Sequence, residues 1–338
     1  MSPQWRSGTD LEPIMDQKLV IIDTDAGIDD AQAIMMALAA PGMRIMGITC
    51  CFGNTDVDNV CQNVLRVLSI CQHTQIPVFR GSVGPLVAAT KAVSDHFGTD
   101  GLGDVLDEDP QWKEKIQTEH AVNAMTRLVA EHPKQVTLVA LGPLTNLALA
   151  IRLDPSFPLN LKELFIMGGN MEGKGNVSVC GEFNFVMDPE SAHVVLEEYL
   201  CPTHIASWEY CCRNKLTWEF FEDLINQDTP AGRFMKKITS SCWAYSKEAM
   251  LSKRDVYFGP GFVSYDAYAV AACIDSSVVT ESILSAVHVE LQGTLCQGMM
   301  AVDQKNMLKK DHLVSVMKTC DLTKFSKLLL ASLRQPCV

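Results

Sequence analysis

The sequence predicts an α/β fold with a mainly parallel central sheet flanked by helices on both faces, and with additional C-terminal helices. Three observations carry this. Short apolar runs alternate with helical patterns up to about residue 210, and parallel strands need such crossovers. The chain has 338 residues and is 47% hydrophobic, enough for a large core in one sizeable unit. Polar, glycine-containing turns follow several strand candidates, the end at which such sheets bind ligands.

Taken in order, Leu19-Val20-Ile21-Ile22 gives a strand over 18–23, and Ile34, Met35 and Leu38 give a helix over 28–40. Strands at 44–50, 136–141, 163–167 and 203–207 alternate with helices at 56–72, 119–132, 143–152 and 188–200. Residues 80–110 carry Gly81, Gly84, Gly98, Gly101 and Gly103 with scattered Asp, and read as a long loop over a site. Helical patterns return at 215–226, 231–250 and 265–274. Short strands near 284–291, 299–303 and 312–317 precede a last helix at 321–334. No repeat or low-complexity linker divides the chain. Residues 18–338 are expected to form a single domain, after a loosely ordered extension over 1–17.

Net charge is −12, with no basic run, which argues against nucleic acid or an anionic membrane as partner. No apolar run approaches the roughly 18 residues of a membrane span. The stretch Met1 to Gln17 lacks the apolar core of a secretory signal. Thirteen cysteines, an odd count without metal-ligand spacing, read as reduced, mostly buried thiols of a cytoplasmic protein, a disulfide framework being the alternative. Cys50, Cys61, Cys71 and Cys273 sit in apolar patterns.

Four aspartates fall within Asp23-Thr24-Asp25-Ala26-Gly27-Ile28-Asp29-Asp30, directly after the first strand. Carboxylates this close repel by roughly 1 kcal/mol per pair at 4 Å even in water. Folding gains nothing from that, whereas a hard divalent cation makes it favourable. An aspartate-decorated helix N-terminus is the simpler alternative. Asn54, after Cys50-Cys51-Phe52-Gly53, suits a ligand hydroxyl or, with Thr55 and Asp56, a helix cap. In Leu141-Gly142-Pro143, the strand ends at Leu141 with a free carbonyl, and Pro143 is expected to open a helix at its first position.

The glycine-rich segment 166–190 contains Gly168-x4-Gly173-Lys174, close to a phosphate-binding loop. Gly175 stands where Ser or Thr would bind magnesium, and no helical pattern follows, so that reading is rejected. Asn176, Glu182 and Asn184 remain, suited to sugar hydroxyls, with a polar surface loop as the alternative. Asp266, in Ser264-Tyr265-Asp266, either caps the helix that follows or adds a distant carboxylate to the cluster.

Together these residues resemble the inosine–uridine-preferring nucleoside hydrolases, from about Leu19 to the last helix. The apolar strand with Asp-x-Asp-x-Gly-x-Asp-Asp and the Gly181-Glu182-Phe183-Asn184…Asp188-Pro189-Glu190 segment carry the resemblance. It implies the nucleoside hydrolase fold, a bound calcium ion (Ca2+), and hydrolysis of the N-glycosidic bond of ribonucleosides to ribose and base. By resemblance, Asp25 activates the attacking water and, with Asp30, Asp266 and the Leu141 carbonyl, holds calcium. Asp29, Asn54, Asn176, Glu182 and Asn184 would grip the ribose, with Met167 against it and Asp23 supporting from behind. The expected partner is a small nucleoside, and the expected assembly a homodimer or homotetramer.

Two positions depart from the family. Tyr265 stands where His or Trp is frequent, and Phe97 precedes Gly98 where His is frequent, with His96 one place earlier. Both lie near the leaving base. Tyr265 is expected to form an aromatic wall with Phe97 or Trp243, slightly favouring purines; packing against the last helices is its alternative role. Two other functions compete with this one. Asp23-x-Asp25 also resembles the haloacid-dehalogenase phosphatases, but Gly27 replaces their Thr or Val, and they lack Asp29-Asp30 and Glu182-Phe183-Asn184. A non-enzymatic or attenuated nucleoside-binding protein would keep the metal and ribose side while the base side drifts.

Overall fold

The computed structural model describes residues 17–87, 96–107, 110–240 and 261–334. Trp243, the extension over 1–16 and the 241–250 part of the expected helix 231–250 lie outside them.

Strand β1 (Lys18–Thr24) leads into α1 (Ile28–Ala39) and β2 (Met43–Cys50). Helix α2 (Val57–Ile70) and a short edge strand β3 (Val78–Arg80) follow. Next come α3 (Ala121–Glu131), β4 (Val136–Ala140), α4 (Thr145–Leu153) and β5 (Glu163–Met167). Then α5 (Phe183–Met187) and α6 (Pro189–Glu198) lead to β6 (Thr203–Ala206). Helices α7 (Trp208–Arg213), α8 (Trp218–Ile225), α9 (Pro230–Ile238) and α10 (Tyr265–Ile274) come next. Strands β7 (Val279–Val289), β8 (Met300–Asp303) and β9 (Val314–Cys320) and helix α11 (Leu322–Ser332) complete the order.

The nine strands form one sheet in the order β3-β2-β1-β4-β5-β6-β9-β7-β8. Pairing is parallel from β3 to β9 and antiparallel for β9-β7 and β7-β8. Alternation along β1 divides the core. Val20 and Ile22 face a cluster with Ile34, Val60, Val270 and Phe325, on α1, α2, α10 and α11. Ile21 faces the opposite cluster with Met125, Leu147 and Val195, on α3, α4 and α6. All three are fully buried, each contributing about 1.5–3 kcal/mol. That burial on both faces fixes the register, since a one-residue slip would invert every side chain.

Strand order turns at β1, which is flanked by β2 on one side and β4 on the other. Asp23 pairs with both Thr49 and Ala140, and Ala140 pairs with Ile166. The C-terminal ends of β1, β2, β4 and β5 therefore lie level, and their loops open at a crevice of the kind where α/β sheets bind ligands.

Several boundaries differ from expectation. The helix expected at 215–226 is α8, and the short α7 before it is additional; hydroxyls of Ser207 and Thr217 start the two, accepting from the amides of Tyr210 and Phe220. Pro143 does not open α4, which begins at Thr145. The segment read as polar loop contains α5, whose start is capped by Glu182. β7 begins five residues earlier than expected, at Val279, where its burial pattern is largely exposed and leaves little apolar signal. The described cysteines are free thiols; Cys50, Cys61 and Cys273 are buried and Cys71 half-buried. No described helix is long and apolar enough to cross a membrane.

Candidate active site

Asp25 sits just past the end of β1, wedged between the two neighbouring loops. A Cβ on Gly53 would lie 2.1 Å from its Oδ2, and one on Gly142 would lie 2.8 Å from Oδ1. Only glycine admits the carboxylate on both sides. The Asn54 amide donates to Asp25 Oδ2 at 2.8 Å, while Oδ1 is buried without a partner. Such an atom costs about 1–3 kcal/mol unless a ligand completes it.

Asp30 lies beside it in the first turn of α1. The Thr24 hydroxyl donates to its Oδ1, and Gly27 N–H and Asn54 Nδ2 donate to Oδ2 at 2.9 and 3.2 Å. Gly27 is needed for close approach: a Cβ there would lie 2.7 Å from both Asn54 and Phe97. Asp266 enters from α10, which packs on α1. Ser264 occupies the N-cap position, so Asp266 is no cap. Oxygens of Asp29, Asp30 and Asp266 lie within 4.8 Å of one another. Asn54 does not cap either, because Asp56 caps α2 through the amides of Asp58 and Asn59.

Burial, then Asp30, pushes the Asp29 carboxyl up to about 8. Burial with the Asp30 charge holds Asp25 well above the ordinary range, and burial with Asp29, Asp30 and Asp25 does the same for Asp266. Burial raises Asp23 to about 7 against hydrogen bonds from Thr49 and Asn146. Each shift reflects the cost of a buried negative charge, which a nearby cation would offset. The all-oxygen donor set and the orphaned Asp25 Oδ1 fit a hard divalent cation.

The opposite wall comes from β4, β5 and α5. Asn184 Nδ2 donates to the Leu141 carbonyl at 2.8 Å and to the Met167 carbonyl at 3.1 Å, leaving Oδ1 buried and unpartnered. The Leu141 oxygen expected to hold metal is thus also an Asn184 acceptor; its second lone pair remains. Glu182 accepts from the amides of Asn184, Gly169 and Phe185 at 2.9, 2.8 and 3.3 Å. Burial raises its carboxyl to about 7 despite these bonds. Asn176 differs from its companions: it is exposed, in the glycine-rich loop.

Phe97 packs over Gly27, at the head of a loop whose Gly98, Gly101 and Gly103 have φ near 80°, a region favouring glycine. Asn63 ties this loop to the cluster, donating to the Ala26 and Asp100 carbonyls at 2.9 and 2.8 Å. Tyr265 is half-buried at the start of α10, against the core.

Sequence reasoning missed the supports. Asn146 Nδ2 donates to Asp23 Oδ1 at 2.8 Å and to the Cys50 carbonyl at 3.0 Å, and Thr49 donates to Asp23 at 2.6 Å. Buried Glu209 accepts from the amides of Met171, Glu172 and Lys174 at 2.8–3.3 Å, shaping the glycine-rich loop. Single polar residues inside apolar patterns gave no periodic signal for any of them.

The family model described as "Inosine-uridine preferring nucleoside hydrolase" matches residues 20–327. The chain is similar to "Probable uridine nucleosidase 1" of Oryza sativa subsp. japonica, 36% identical over 84% of this chain and 85% of that protein. It is also similar to the "Inosine-uridine preferring nucleoside hydrolase" of Crithidia fasciculata, 34% identical over 94% of this chain and 98% of that protein. The solved structure "Inosine-Guanosine Nucleoside Hydrolase (IG-NH)" superposes with a TM-score of 0.85, at 31% identity over 94% of this chain and 98% of that one.

Proposed function

Because the chain belongs to the inosine-uridine preferring nucleoside hydrolases and hydrolyses ribonucleosides, we propose that its Asp cluster uses calcium for that reaction. The supporting observation is the convergence of Asp29, Asp30 and Asp266 within 4.8 Å, with the Asp25 charge acting on Asp266 and Asp25 Oδ1 buried and unpartnered. Asp25, Asp30, Asp266 and the Leu141 carbonyl hold the ion. When bound, the ion supplies charge that orients the ribose hydroxyls and acidifies a water.

The chain's own groups do the rest. Asp25 takes the proton from the water that attacks C1′, as the C1′–N bond breaks and the base departs. The carboxylates stabilise the positive charge that develops on the sugar. Asn54, Asn184, Glu182, Asn176 and Asp29 hold the hydroxyls, with Met167 against the ring, so that the water faces C1′. The match over residues 20–327 supports one domain over 18–338. A cytoplasmic, homodimeric or homotetrameric enzyme is part of the same proposal.

The test is release of reducing sugar from a ribonucleoside panel, with calcium and after chelation. Full activity after chelation, in protein shown to be metal-free, would overturn the calcium assignment. A stability experiment checks it separately. Raised carboxyls bind protons that the unfolded chain has lost, between the ordinary value of 3.8 and about 8. The metal-free protein is therefore stabilised at low pH, and loses that stability as pH rises through this window. Metal binding displaces those protons. Calcium at a hundredfold its Kd at mildly acidic pH is expected to add about 2.7 kcal/mol there, and at that fixed concentration the gain in Tm should grow toward mildly alkaline pH. A gain that shrinks with rising pH would contradict the site.

Base choice rests on Phe97, Tyr265 and Trp243. A phenol with an ordinary pKa near 10 is a poor proton donor at neutral pH, while its ring is a good stacking face. Tyr265 stacks on the base, and purine nucleosides are slightly favoured. Tyr265→Phe should be mild, within about threefold in kcat/KM, and Tyr265→Ala should cost tenfold or so, from the loss of about 0.5–1.5 kcal/mol of ring contact. Equal damage in both variants would mean that the hydroxyl carries the effect.

A further inference from the structure

Away from the Asp cluster, Cys180 and Cys296 lie with their sulfurs 4.0 Å apart, although 116 residues separate them in the chain. Cys180 stands in the glycine-rich loop, two residues before Glu182; Cys296 lies in the connection between β7 and β8. The two segments touch closely. A Cβ on Gly181 would lie 3.1 Å from the Gln297 carbonyl, and one on Gly298 would lie 2.9 Å from Val186 Cα. Both cysteines are half-buried. Their neighbours Val179 and Leu295 are 65% and 56% exposed, so small solutes reach this rim. Cys50 and Cys61, also close neighbours, are buried, and no solute reaches them. Sulfurs in contact must close by only about 2 Å to reach bonding distance.

We propose that Cys180 and Cys296 form a reversible dithiol latch, oxidised by a low-molecular-weight disulfide of the glutathione class, that ties the glycine-rich loop to the β7–β8 connection. One protein thiolate attacks a sulfur of glutathione disulfide, and one glutathione thiolate leaves. The second protein thiolate then attacks the protein sulfur of the mixed disulfide, and the second glutathione leaves. The protein dithiol gives up two electrons and two protons, and the oxidant becomes two glutathione thiols. Burial and the adjacent Cys296 sulfur hold the Cys180 thiol above its ordinary range, so the exchange quickens as pH rises. The loop carries Asn176 and Glu182, and an effect of the latch on sugar binding rests on the ribose reading above.

The full-length protein is equilibrated in glutathione buffers from reducing to oxidising and quenched with acid. Peptide mapping is expected to find a Cys180–Cys296 cross-link that dithiothreitol removes. Amide hydrogen exchange over residues 172–181 should slow severalfold in the oxidised protein, and not in Cys296→Ser. Glutathione adducts without a cross-link, or a cross-link with unchanged exchange, would overturn the latch. Neither readout uses activity. In a parallel assay KM for a ribonucleoside should shift at least threefold on oxidation in wild type alone. A latch that forms and slows exchange while KM stays constant would count against the ribose role of the loop, and for the latch itself.

Discussion

Asp25→Asn is expected to lower kcat by about 10²–10⁴-fold, the usual cost of removing a general base. The substitution keeps the shape, so the fit between Gly53 and Gly142, where Oδ1 and Oδ2 touch the neighbouring loops, survives. An amide oxygen at the Oδ2 position still accepts the Asn54 N–H. What is lost is a carboxylate able to take the proton from water. The site already orients that carboxylate, through the Asn54 N–H on Oδ2, and leaves Oδ1 buried with no other partner. The measurement is single-turnover release of ribose, with calcium affinity determined on the same sample. If turnover falls while calcium affinity stays within a few fold, Asp25 acts as the base. If calcium affinity collapses in parallel, the metal role dominates. Near-wild-type turnover would exclude both roles.

The acidic cluster was legible because three of its members sit in one turn after one strand. Repulsion between adjacent carboxylates can be read without a structure. Asp266 was legible only as an alternative between cap and ligand. Ser264 at the N-cap excludes the cap, and the packing that brings Asp266 to Asp29 and Asp30 is invisible in local pattern. For Asn54, Asp56 taking the cap removes that alternative. Glu182 gave a weaker signal. Helix N-caps favour Ser, Thr, Asp and Asn, so a Glu in that position did not announce α5, and the segment read as loop. Its carboxylate accepts three amides, a structural task that accompanies any contact with sugar. The sheet was legible where strands are buried on both faces, as in Val20-Ile21-Ile22. It was less so at β3, with three residues, and along the exposed half of β7. Thr49, Asn146 and Glu209 were not foreseen, because their partners are 26 to 123 residues away.

The 2′-deoxyribonucleoside of a good substrate is expected to react about 10³-fold more slowly in kcat/KM, or worse. A site built to bind a hydroxyl rejects the analogue that lacks it, by up to about 10⁴–10⁵-fold, since its own polar groups are then left unpaired. Here the candidates for that pairing are Asp29, half-buried at the edge of the cluster, and the ion proposed to bind at the cluster. Each unpaired buried group costs roughly 1–3 kcal/mol, and two of them reach the expected factor. The loss should fall on kcat as well as KM, because hydroxyl contacts strengthen as the sugar becomes positive. Asp29→Asn should narrow the discrimination, since the variant removes one of the groups that the missing hydroxyl would have satisfied. Comparable kcat/KM for inosine and deoxyinosine would refute the ribose grip. It would also separate that assignment from the metal site, whose test by chelation and Tm does not depend on the sugar.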